Sequence, residues 1–198
     1  MRSIDKVLEN ETYQLIHRTI NTLLMVVVVT IGYQQIVPIY EDISGIKAEQ
    51  QAEIQRLKQL RIIESEISQI IEDEGYRAKP YKDTRGLWTI GFGHLIKEGE
   101  DFTTVTPHYA VKMLRKDYKY ASDSVQRKYP WAVGEVKLVL INMTYQMGEN
   151  GVSKFQNAIS SLKGQDYDSA AAEMLNSRWA KQTPLRASRL AGRIMQLY

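Results

Sequence analysis

EGYRAKPYKDTRGLWTIGFGH, residues 74–94, ends a helix and opens a β-hairpin, and most of the fold follows from it. Glu74 closes a helical run in which Ile67, Ile70 and Ile71 recur at helix spacing. Asp83 opens a turn, Asp83-Thr84-Arg85-Gly86, and Leu87-Trp88-Thr89-Ile90 then alternates as a strand does. A chain that leaves a helix and folds straight into a hairpin returns its second carboxyl toward the first. Two carboxyls of unlike environment across a cleft suit glycosidic bond cleavage: one protonates the leaving oxygen and the other handles water or the sugar cation.

The segment resembles the T-even-type bacteriophage lysozymes, muramidases with a glutamate, an aspartate nine residues later and a threonine six beyond that. Glu74, Asp83 and Thr89 fall at those offsets, and Gly91-Phe92-Gly93-His94 matches the family strand. NMTYQMGENGVSKFQNAISSL from Asn142 resembles the family's central helix and the loop beyond it, and SRWAKQTPLRASR from Ser177 its C-terminal helices. The resemblance implies an inverting muramidase acting on peptidoglycan, with Glu74 as general acid, Asp83 as the partner that activates water, and Thr89 helping to seat that water. It further implies that His94 lines the cleft base, that Tyr145 and Gln146 contact sugar, and that Arg186 orients Glu74. Glu173 stands where the family commonly has asparagine, so a polar sugar contact becomes a carboxylate. The stretch between Leu95 and Thr106 is shorter than in the T-even form.

Taken singly, each residue has a plainer role. Glu74 could be a solvated helix carboxylate, Asp83 a turn former bonding local N–H groups, Thr89 a β-former and His94 a satisfied structural histidine. Trp88, Trp131 and Trp179 are expected in the core rather than as sugar platforms. Asp73 beside Glu74 and Asp83 opposite would favour a protonated acid, whereas an arginine would oppose it while fixing the geometry.

Bulk properties restrict the alternatives. The 198 residues suffice for one sizeable domain and an appendage. A net charge of +3 argues against a dedicated nucleic-acid partner. With no cysteine there is no disulfide or thiolate chemistry, and the three histidines, His17, His94 and His108, form no HExxH pair, so neither metal nor cofactor is expected. From Arg178 onward five basic residues occur without an acidic one, which reads either as a rim for an anionic polymer or as a solvated helix face.

The amino-terminal third has a different character. No charge occurs between Arg18 and Glu41, and Leu23–Ile31 is almost continuously apolar. Residues 19–40 therefore read as an uncleaved anchor helix in the inner membrane, diluted by Asn21, Gln34, Gln35 and Pro38, as a buried helix docking the chain to a virion protein, or as a cleaved signal. Arg2, Lys6 and Arg18 before the run against Lys47 after it put residues 1–18 in the cytoplasm and the enzyme outside, in the periplasm. Residues 41–63 are a helical linker whose coiled-coil register is not kept upstream of Leu60, and residues 64–198 are the catalytic domain.

Beyond the hairpin, Thr106-Pro107 and Thr183-Pro184 mark two helix starts, and Val133–Met147 reads as a buried helix ended by Gly148. The expected fold is α+β and mainly helical. A small helix–hairpin lobe and a larger helical lobe flank a cleft, preceded by a hydrophobic helix and a helical stalk. The rival from another class is a non-enzymatic wall-binding protein on the same scaffold.

Overall fold

The computed structural model describes residues 2–31, 33–83 and 86–197, the side chains of residues 2–12 and 28–42 excepted. It divides into two compact units whose boundary falls between Leu60 and Arg61. Helix α1 (Arg2–Ile31) and the first part of α2 (Tyr33–Glu74) form the first unit. There, Leu15, Leu23, Met25 and Val26 are exposed, as are Ile46, Ile54 and Leu57 farther along. The Thr19 and Thr22 hydroxyls donate to carbonyls four residues back, which lets these threonines sit inside a helix. The expected anchor at residues 19–40 falls on α1 and the start of α2, and its second half, like Arg2 and Lys6, lies outside the described side chains. Among the described residues no helix is long and apolar enough to cross a membrane.

The second unit is an α+β structure dominated by helices. Helix α2 runs without a break to Glu74, burying Ile67 and Ile70 while Leu60 stays exposed, so the core-facing stripe begins at Ile63. Strands β1 (Arg77–Lys82), β2 (Trp88–Gly91) and β3 (His94–Leu95) follow as an antiparallel sheet in that order. Tyr81 pairs with Thr89 and Lys82 with Trp88, and the register shifts between Arg77 and Tyr81. Alternation on β2 buries Thr89 and turns its neighbour outward: Trp88 is 52% exposed. The expectation of a core Trp88 is therefore corrected. Its ring lies on the solvent side with the Lys82 ammonium 5.4 Å from its centroid. Trp179 is buried as expected and Trp131 partly so.

Among the described residues six helices complete the unit. Helix α3 (Pro107–Lys128) starts where the sequence indicates, the Thr106 hydroxyl accepting the Tyr109 N–H at 3.2 Å. Helix α4 (Gly134–Val152) supplies Val139, Leu140 and Met143 to the core, and Gly148, at φ +75°, interrupts its helical geometry where the sequence places a stop. Then come α5 (Gln156–Lys163), α6 (Tyr167–Leu175), α7 (Arg178–Gln182) and α8 (Pro184–Met195). At α8 the proline occupies the first turn, but the Thr183 hydroxyl turns back to the Trp179 carbonyl at 3.2 Å instead of capping. Leu190 and Ile194 of α8 are fully buried, each contributing about 1.5–3 kcal/mol.

Candidate active site

Glu74 ends α2 because Gly75, at φ +65°, follows it and donates its N–H to the Ile71 carbonyl. The carboxylate is thus delivered at a helix terminus, 22% exposed, with the hairpin beginning three residues on. Arg186 on α8 donates Nη2 to Glu74 Oε1 at 2.9 Å and faces Asp73 Oδ2 with Nε at 3.0 Å. Arg189, one turn later, donates to the same Asp73 oxygen at 2.5 Å. Asp73 therefore stands against two guanidinium groups, and one of them also fixes Glu74. The other Glu74 oxygen faces Gly93, where a Cβ would approach Oε2 to 3.0 Å.

Asp83 closes the hairpin. Its N–H donates to the Leu87 carbonyl at 2.9 Å, and its Oδ1 accepts the Leu87 N–H at 2.8 Å. Thr84 and Arg85 of the expected turn lie outside the described residues. The plainer role expected of Asp83, turn formation, is fulfilled, and one oxygen is committed to it. Thr89 is buried, and its hydroxyl donates to the Leu87 carbonyl at 3.2 Å, leaving its lone pairs as acceptors.

Tyr81, on β1 just before Asp83, escaped the sequence reading. Burial pushes its phenol upward, the Arg77 guanidinium 4.3 Å from the ring opposes, and the charges of Glu74 and Asp83 both push it farther up. The charges of both carboxylates thus bear in the same direction on this phenol. The signal available was its position two residues before Asp83, on the same alternation.

His94 is buried and fully engaged. Its Nδ1 meets Asp117 Oδ2 at 2.6 Å and its Nε2 meets Glu100 Oε2 at 3.0 Å, and Glu100 also accepts the Lys97 N–H at 2.9 Å. The hydrogen bond to Asp117 is the main cause that raises its pKa; burial opposes and Glu100 adds to the rise. His94 thus ties β3 and the loop after it to α3. Asp117 and Glu100 had no motif to mark them.

Tyr145 and Gln146 stand together on α4, both half-buried with polar atoms already in use. Tyr145 donates its hydroxyl to the Phe92 carbonyl at 2.7 Å, and Gln146 Oε1 accepts from Trp179 Nε1 at 2.7 Å. Glu173 lies elsewhere, in a cavity of about 600 Å³ lined also by Met147, Phe155, Asn157, Arg178 and Trp179, and accepts from Asn157 Nδ2 at 3.3 Å. Trp179 joins the two places, lining the cavity while bonding Gln146. Among the described residues no cluster of His, Asp and Glu suits a metal ion.

The mainly helical α+β fold, with Glu74 at a helix end and one of its oxygens held by Arg186, agrees with the class that the comparisons give, the lysozyme-type glycoside hydrolases. A family model described as phage lysozyme matches residues 71–194, more than half of the chain, and the chain belongs to that family. Probable T4-type lysozyme 2 of Dictyostelium discoideum is 30% identical over 146 residues, spanning 60% of this chain and 86% of the relative. Peptidoglycan hydrolase gp36 of Pseudomonas phage phiKMV is 33% identical over 125 residues, 60% of this chain and 14% of that protein. Pre-baseplate central spike protein Gp5 of Enterobacteria phage T4 is 31% identical over 147 residues, 60% of this chain and 25% of that protein.

Proposed function

We propose that this chain hydrolyses the β-1,4 bond between N-acetylmuramic acid and N-acetylglucosamine in peptidoglycan with inversion at the anomeric carbon. Glu74 gives its proton to the leaving glycosidic oxygen as the bond from the anomeric carbon breaks. Asp83 takes a proton from a water that attacks the opposite face, and Thr89 accepts a hydrogen bond from the same water. No glycosyl-enzyme forms, and each carboxyl ends the turnover in the other protonation state. The observation that carries this reading is Glu74, set at a helix end with one oxygen held by Arg186. Peptidoglycan as substrate is also what the name of the phiKMV relative states. Gln146 and Glu173 are the polar groups offered to sugar or its substituents, and His94 supports the floor from behind.

Purified full chain, kept in mild detergent, should clear peptidoglycan, and Glu74→Gln and Asp83→Asn should each lose at least about a hundredfold. NMR of fresh product should show the α-anomer first. An initial β-anomer would replace the single displacement by a covalent intermediate.

The biological role we favour is an endolysin held at the host inner membrane through residues 19–40, with the catalytic unit in the periplasm. The uncharged stretch between Arg18 and Glu41 and the basic residues before it support this. The second reading, a virion lysozyme acting during genome entry, is favoured by the baseplate spike relative.

A further inference from the structure

Tyr145 stands on α4, yet its only hydroxyl proton is spent across the unit on the Phe92 carbonyl, 53 residues away in sequence. Phe92 is flanked by Gly91 and Gly93 at φ +67° and +81°, in the left-handed region where glycine alone is unstrained. The turn has a tight seat. A Cβ on Gly91 would strike Ala110 at 3.0 Å, and one on Gly93 would strike Glu74 Oε2 at the same distance. The Phe92 ring is buried and packs on Tyr76 with centroids 5.5 Å apart. Side-chain packing therefore holds the turn on one side, and the Tyr145 hydroxyl holds its backbone on the other. Burial, with the charge of Glu74 adding to it, pushes the Tyr145 phenol upward, so that it remains a donor.

We propose that Tyr145 is a positioning residue: its hydroxyl pins the Gly91–Gly93 turn against Glu74 and thereby fixes the acid oxygen that Arg186 does not hold. Arg186 then holds one oxygen of the carboxyl, and the turn backs the other so closely that a side chain at Gly93 would not fit. The proposal rests on Glu74 being the acid. It assigns the hydroxyl to the turn and leaves only the ring for the sugar contact that the resemblance implies, because a phenol has one proton to give and Phe92 has it.

The test compares the full chain with Tyr145→Phe on solubilised, uncrosslinked peptidoglycan strands. Phenylalanine keeps the ring available to a sugar and removes one oxygen atom. The expected result is kcat lower by about three- to tenfold, the size of one hydrogen bond, with KM within about twofold of the parent. Amide exchange at residues 91–94 should accelerate. Tyr145→4-aminophenylalanine, which restores a donor, should recover kcat. A rise in KM with kcat intact would make the hydroxyl a substrate contact and overturn the proposal, as would unchanged kinetics. If Tyr145→Phe no longer unfolds cooperatively, the amino variant decides: recovered kcat supports the proposal and unrecovered kcat overturns it. Glu74→Gln in parallel separates the two failures, since activity surviving that change removes the acid assignment itself.

Discussion

Arg186 holds Glu74 at 2.9 Å from the far end of the sequence, 112 residues away, and is itself only 6% exposed. A guanidinium suits the place because its planar fork can serve Asp73 through Nε and Glu74 through Nη2 at once. Arg186→Lys should keep one of the two contacts and lose the other. Arg186→Ala leaves two carboxylates facing one another with only Arg189 nearby, so it should cost about 3–5 kcal/mol of stability as well as activity. Urea unfolding alongside wall clearing checks this. An alanine variant with parental stability would show that the pair contributes nothing to the fold.

Arg193 makes the same argument two turns farther along α8, away from the chemistry. It donates to Glu66 on α2 at 2.6 Å and also pairs with Glu135 on α4. Glu66 is buried, so Arg193→Met alone should destabilise by about 3–5 kcal/mol by stranding its charge. Replacing all three together, Glu66→Met, Arg193→Leu and Glu135→Leu, should come out near neutral or better, because desolvating three charges offsets most of their attraction. If the triple variant is as unstable as the single one, the network contributes net stability.

These arginines show where the sequence stopped being readable. Five basic residues from Arg178 suggested a rim for an anionic polymer or a solvated face, and for three of them neither holds: Arg186, Arg189 and Arg193 face carboxylates on α2 and α4. Their partners stand up to 127 residues away, beyond the reach of any local pattern. What was legible was local. The isoleucines that step toward Glu74, the Thr106-Pro107 start and the stop at Gly148 all depend on spacing within one helix. Asp83 and Thr89 were singled out by their offsets from Glu74. Tyr81, Asp117 and Glu100 were not, because their roles arise only when strand, loop and helix meet.

His94 gives the unit a pH dependence of definite sign. A neutral imidazole has one N–H, so only the protonated ring can donate to Asp117 and Glu100 together. Asp117 first, and Glu100 after it, raise the folded pKa above the ordinary value of about 6.5 despite burial. A raised folded pKa contributes stability that is complete below about pH 6.5 and is lost as pH rises through the folded value. His94→Gln should therefore cost most near pH 5.5, about 1–3 kcal/mol, and progressively less toward pH 9. Glu100, held below its usual range chiefly by the Lys97 N–H, loses its own contribution only in more acidic solution, so pH 5.5 isolates the histidine. A gap between parent and variant that stays constant from pH 5.5 to 9 contradicts the paired-imidazolium account.

The amino-terminal segment separates the two biological readings. Residues 19–40 carry no charge, yet Asn21, Gln34, Gln35 and Pro38 dilute them, and the strongly apolar centre runs only from about Leu23 to Ile31. Such a segment lies close to the length at which a helix spans a bilayer, about 20 residues. Expressed alone in a bacterial host, the full chain should sediment with membranes, resist alkaline carbonate and dissolve in detergent. Two charges placed in the centre, Val26→Lys with Val28→Lys, should release it, because each costs about 2.5–3.5 kcal/mol at mid-bilayer. Recovery of the parent chain in the soluble fraction, or carbonate extraction of it, would favour docking to a virion protein. Purified particles should then contain the chain, and the two lysines should abolish its incorporation instead.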